Sequence, residues 1–78
     1  MLYNTSKRLG GYAVITYDKL WKTMKQKGIT QYRLINEFKV SPGQIGRMKK
    51  NVHCSTRTLE KLCKILDCNI EDIVEFRA

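Results

Sequence analysis

Four residues with short, oxygen-bearing side chains, Thr30, Ser41, Ser55 and Asn69, each stand just ahead of a segment with helical apolar spacing. A first helical turn leaves its amide hydrogens without partners, and such side chains satisfy one of them, so each marks where a helix begins. Their close spacing cuts the chain into pieces of about a dozen residues, which leaves room for short packed helices and little else. The clearest start is at Val40-Ser-Pro-Gly-Gln-Ile45. Ser41 is expected to cap, Pro42 to take the first helical position where a missing amide hydrogen does no harm, and Gln44 to complete a capping box. Val40 and Ile45 then form a hydrophobic staple across that start.

The other segments read in the same way. A helix is expected over 17–27, with Thr16 as cap, Asp18 near the positive dipole end, and Tyr17, Leu20, Trp21 and Met24 on one face. Gly28 ends it. A second helix over 31–38 follows Thr30, with Ile29 and Leu34 as its staple and Ile35 and Phe38 extending the apolar face. A fourth follows Ser55 and carries Leu59, Leu62, Cys63 and Leu66 at i, i+3, i+4 and i+7. A fifth is expected over 70–74 behind Asn69. The β-prone run 12–17 and the segment 75–77 form a candidate two-stranded contact. The expected fold is thus all-α with five helices and a small β contact, in one domain over 12–78 preceded by a flexible arm over 1–11. In that arm Lys7 and Arg8 are available to phosphate.

Charge narrows the partner. The chain carries 15 basic and 7 acidic side chains, a formal +8. The sign is unevenly placed: residues 19–57 hold ten cations against the single acid Glu37, whereas 60–78 is mildly acidic. A solvated basic face needs no partner, but segregation of this kind points to an anionic one. The longest apolar run, 12–15, is far short of the roughly 20 residues that cross a bilayer, and the N-terminus has no signal-peptide core. A cytoplasmic location without membrane contact is expected. Cys54, Cys63 and Cys68 make an odd count with no Cys-x-x-Cys pair, which argues against a disulfide framework and a zinc site. His53 is a lone loop histidine with no ligand partner at metal spacing, and Trp21 reads as core or dimer interface. No nucleophile triad, phosphate-binding glycine loop or carboxylate pair is present, so no enzymatic activity, cofactor or metal is expected.

The helices at 31–38 and from 42, joined through Lys39 and Val40, have the spacing of a helix-turn-helix, which holds one helix out of the domain as a probe. Lys39 stands where glycine is common, because the chain often takes a positive φ there. Three stretches then carry a resemblance: Gly28-Ile-Thr-Gln-Tyr-Arg-Leu-Ile35, Val40-Ser-Pro-Gly-Gln-Ile-Gly-Arg-Met48, and Thr58-Leu-Glu-Lys-Leu-Cys-Lys-Ile-Leu-Asp-Cys-Asn-Ile-Glu-Asp-Ile73. In order and spacing they resemble the phage Cro and repressor type of helix-turn-helix, the XRE family, over residues 17–76. The resemblance implies a lambda-repressor-like domain that binds double-stranded DNA.

It also implies residue roles. Pro42, Gly43, Gln44 and Arg47 match the positions from which the family reads base edges. Only Gln44 and Arg47 have suitable donors, Arg47 for guanine O6 and N7 and Gln44 for adenine N6 and N7. Pro42 and Gly43 replace longer polar residues there, which shifts specificity toward DNA shape or close backbone approach. Gln31, Ser41, Lys49, Lys50, Asn51 and Arg57 fall at phosphate-binding positions, although helix-start polarity alone accounts for Gln31. Arg57 lies against the local helix dipole, and an external phosphate would relieve that mismatch. The function implied is transcriptional regulation, by repression, from a homodimer on a palindromic operator. A second reading is an antitoxin-like module that binds a protein partner and DNA, using 1–16 for the partner. Structured RNA suits the charge but has no need of the turn.

Overall fold

The computed structural model describes residues 14–77; the expected arm, with Lys7 and Arg8, lies outside the described residues. A short strand, β1 (Val14–Thr16), leads into four helices: α1 (Asp18–Lys27), α2 (Gln31–Asn36), α3 (Pro42–Lys49) and α4 (Thr56–Leu66). A 3-10 turn (Ile70–Asp72) and a second strand, β2 (Glu75–Arg77), follow. The strands pair antiparallel, with Val14 opposite Arg77, Ile15 opposite Phe76 and Thr16 opposite Glu75. The expected β contact is therefore present, and the fold is mostly helical with a small sheet.

The fifth helix is a correction. Residues 70–74 make one 3-10 turn, in which the Ile73 and Val74 amides both donate to the Ile70 carbonyl at 3.1 Å. Asp72 Oδ2 accepts the Asn69 N–H at 2.9 Å, so the start signal is real. The segment stops because Ile73 is fully buried while the chain must already be extended at Glu75 to join β1. Two boundaries also move. Tyr17, not Thr16, stands at the head of α1 and makes no side-chain cap. Thr16 is held in β1 and buried. Helix α2 ends at Asn36, two residues before the expected Phe38, because the Glu37 and Phe38 amides both fold back onto the Arg33 carbonyl, at 2.9 and 3.1 Å.

Three of the helices close alike. Gly28, Asn51 and Asp67 take left-handed φ values of 69°, 55° and 50°. The next amide then reaches a carbonyl five residues back: Ile29 to Met24, Val52 to Arg47, Cys68 to Cys63. Lys39, at φ 60°, closes α2 more widely, with the Val40 amide on the Leu34 carbonyl at 2.9 Å.

Leu20 and Met24 from α1, Leu34 from α2, Val40, Ile45 and Met48 around α3, Leu62 and Leu66 from α4, and Ile73 form one buried cluster with Tyr17. Both expected staples take part: Leu34, Val40 and Ile45 are buried, and Ile29 packs against them. Trp21, Cys54, Cys63 and Phe38 are half-buried at its margin. Thr23 Oγ1 donates to the Asp72 carbonyl at 2.7 Å and ties α1 to the 3-10 turn. Among the described residues no helix is long and apolar enough to cross a membrane.

Candidate nucleic-acid interface

Local chemistry sets the start of each helix in the motif. Thr30 Oγ1 accepts the Arg33 N–H at 3.1 Å and opens α2. Ser41 Oγ accepts the Gly43 N–H at 3.2 Å and opens α3 behind Pro42. The inner side of α3 is fixed by Ile45 and Met48, which lie in the core. Residues at i, i+1, i+4, i+5 and i+8 from Pro42 then share the opposite side. Pro42, Gly43, Arg47 and Lys50 on that side are exposed. Gly46 completes the row: a Cβ there would meet nothing within 4 Å, and one at Gly43 would meet only Ser41 Oγ at 3.5 Å. The result is a helix face with a smooth centre and a guanidinium at its edge.

Gln44 does not join this face as expected. The capping box fails, because Ser41 Oγ takes the Gly43 amide, and the buried Oε1 of Gln44 has no hydrogen-bond partner. The side chain is half-buried and lines a groove between the turn and α4, with Lys39, Ser41, Arg57, Thr58 and Lys61. The side chain faces this groove instead of closing the local bond. Lys61 Nζ spans that groove to the Lys39 carbonyl at 3.1 Å.

Some cations are tied into the fold and others are not. Arg33 is held within the fold: Nε and Nη2 meet Glu37 at 2.9 and 3.3 Å, Nη1 donates to the Gly28 carbonyl at 3.4 Å, and the guanidinium lies 5.9 Å from the Phe38 ring centre. Lys19 and Lys27 donate to carbonyls of the acidic C-terminal part. By contrast Arg47, Lys49, Lys50 and Arg57 are exposed and enter none of the ion pairs among the described residues. Arg57 lies in the first turn of α4, which has no acid to balance the helix dipole. Gln31 stands half-buried at the first position of α2, next to Tyr32, which is 72% exposed.

The loop between α3 and α4 is anchored from below. Asn51 Oδ1 accepts the Tyr17 main-chain N–H at 3.1 Å, and the Tyr17 hydroxyl lies 3.5 Å from Cys54 Sγ. Burial, followed by the hydrogen bond to Cys54, pushes the Tyr17 phenol up to about 12. Burial and the neighbouring Cys63 push the Cys68 thiol up, and all three cysteines are free. Part of Asn51 is thus turned inward, whereas Lys49 and Lys50 are left to solvent. Gly46 and the Tyr17 anchor were missed in the sequence. The three-residue step from Gly43 was the only local signal for the first, and the second is a contact across 34 positions with none.

This arrangement is that of a helix-turn-helix domain, and comparison with known proteins agrees. The chain belongs to the Cro/C1-type helix-turn-helix DNA-binding domain family, whose model matches residues 19–78. Among solved structures it is similar to the crystal structure of the transcriptional regulator VanUg, at 26% identity and a TM-score of 0.77, covering 99% of this chain and 95% of that one. No curated protein matches it.

Proposed function

We propose that the chain is a non-enzymatic, sequence-specific regulator of transcription that binds double-stranded DNA as a homodimer and represses by occupying a promoter. The observation that carries this is the outward side of α3, bare at Gly43 and Gly46 and edged by Arg47, with Lys49, Lys50 and Arg57 unpaired around it. The similarity to a transcriptional regulator supports the regulatory role. In this reading α3 enters the major groove. Arg47 reads a guanine, and the smooth centre lets main chain approach the base edges where longer side chains would stand off. Pro42 and Gly43 contribute shape, and Gln44 contributes to base reading only after leaving its groove. Lys49, Lys50 and Arg57 neutralise phosphates, with Gln31, Ser41 and Asn51 as polar contacts that fix register.

Selection of bound duplexes from a random DNA pool, at near-physiological salt, tests this. A recovered palindrome is expected, with half-sites about one helical turn apart. Recovery of no sequence, with binding that vanishes as salt rises, would reject sequence-specific regulation and favour a protein partner instead.

A further inference from the structure

Cys63 and Cys68 stand on either side of one helix stop. Asp67 takes the left-handed φ of 50° that ends α4, and the Cys68 amide then donates to the Cys63 carbonyl at 3.1 Å. A closure of this kind brings the side chains of the two bonded residues toward each other. At the end of α1 that pair is Met24 and Ile29, and at the end of α3 it is Arg47 and Val52. At the end of α4 both positions carry sulfur. The main-chain bond holds the two Cα atoms within about 7 Å of each other, which is the reach of a disulfide, about 4.4–6.8 Å. The sulfurs also sense each other: burial first, then the charges of Cys63 and Asp72 and a hydrogen bond with Cys63, push the Cys68 thiol up.

The third thiol is out of range. Cys54 precedes α4 and has its Sγ 3.5 Å from the Tyr17 hydroxyl. Cys63 falls about 10 Å further along the axis of that helix. Access favours the same pair. Cys68 lines a cavity of about 360 Å³ together with Thr23, Lys27 and Asn69. Lys27 counters part of the upward push on the Cys68 thiol, because its charge favours a thiolate.

We propose that Cys63 and Cys68 are a redox modification site, closed to an intrachain disulfide by a low-molecular-weight disulfide that enters the cavity at Cys68. Cys68 gives its proton to solvent and its thiolate attacks one sulfur of the reagent, whose S–S bond breaks and releases one thiolate. Cys63, deprotonated in turn, attacks the Cys68 sulfur of the mixed disulfide and expels the second thiolate. The two released thiolates take up two protons. The cysteine pair has then lost two electrons, and the reagent has become two thiols. Burial slows the first step, whereas the closure at Asp67 places the second within one chain. The site lies toward the end of α4 away from Arg57, so it neither requires nor excludes the proposed DNA reading.

The test is incubation of the full folded chain with oxidised glutathione, followed by alkylation of remaining thiols under denaturing conditions and intact and peptide mass spectrometry. The wild type is expected to keep one alkylatable cysteine, Cys54, with a peptide cross-link from Cys63 to Cys68. Cys54→Ser is expected to close the same bridge, and Cys63→Ser to stop as a glutathione adduct on Cys68. In buffers of reduced and oxidised glutathione, the equilibrium constant for the bridge is expected to be at least about tenfold larger in the folded chain than in urea. Equal constants in the two states would mean that the fold does not bring the thiols together. Three free thiols after incubation, a stable glutathione adduct on the wild type, or a bridge that includes Cys54 would each overturn the site.

Discussion

Asn51 and Tyr17 are joined across 34 positions by one hydrogen bond, from the Tyr17 main-chain N–H to Asn51 Oδ1 at 3.1 Å. The bond fastens the loop after α3 to the residue that heads α1. Asn51 serves twice, since its φ of 55° also closes α3. Asparagine tolerates this left-handed conformation better than most residues, and its side chain supplies the acceptor.

The two roles separate by substitution. Asn51→Gly keeps the turn and loses the bond, at about 1 kcal/mol. Asn51→Ala loses the bond and strains the backbone, for about 2–3 kcal/mol in all. Urea unfolding should rank wild type above Asn51→Gly above Asn51→Ala. A glycine variant as stable as wild type would remove the bond from the account.

Tyr17 predicts a pH dependence. Its phenol is pushed up to about 12 in the folded chain, against 10.0 unperturbed. The folded state therefore holds the proton more tightly than the unfolded state. The stabilisation is complete below pH 10 and is lost as pH rises from 10 toward 12, on the order of 2 kcal/mol. Over that window wild type should lose stability faster than Tyr17→Phe, whatever the lysines do in both. Parallel stability curves for the two proteins would contradict the assignment.

Lys39 holds a left-handed φ of 60° in the turn between α2 and α3. Glycine takes that conformation without the Cβ penalty, offset in part by its greater freedom when unfolded. Lys39→Gly should stabilise by about 0.5–1 kcal/mol and raise Tm by a few degrees, read by thermal circular dichroism. An unchanged or lower Tm would mean that the lysine side chain holds the turn in a way its carbonyl contact to Lys61 does not explain.

Arg47 and Lys50 are expected to fail differently in DNA binding. Arg47→Ala should flatten the preference among duplexes by about 1–3 kcal/mol at one base pair. Lys50→Ala should weaken all duplexes about equally and lower the salt slope by about one unit. Fluorescence anisotropy at several salt concentrations reads both. Unchanged selectivity in the Arg47 variant would take base reading away from α3.

The starts of the helices were legible because they rest on short-range chemistry. Thr30, Ser41 and Ser55 all accept amide hydrogens from their own first turns. The ends were less so. Where α2 stops depends on Lys39 turning left-handed so that Leu34 and Val40 can both be buried, which is a demand of the whole core. Gln44 had the spacing of a capping box, yet it lines a groove beside α4, a neighbour that no local pattern reveals. Residues 70–74 had a helix-start signal, but the strand that follows left room for one turn. For the interface, exposure of Arg47, Lys49, Lys50 and Arg57 agrees with their periodicity, whereas the inward bond of Asn51 follows only from the folded chain.

The empty places on α3 bear on how such a protein changes over time. A side chain added at Gly43 or Gly46 meets almost nothing, and neither glycine needs a positive φ. Replacing a glycine inside a helix gains roughly 0.5–1 kcal/mol. The first mutational steps that add side-chain atoms to the outer face of α3 therefore also strengthen its fold. Most proteins drift toward new binding preferences by spending stability; here the outer face of α3 can diversify while the scaffold becomes more robust.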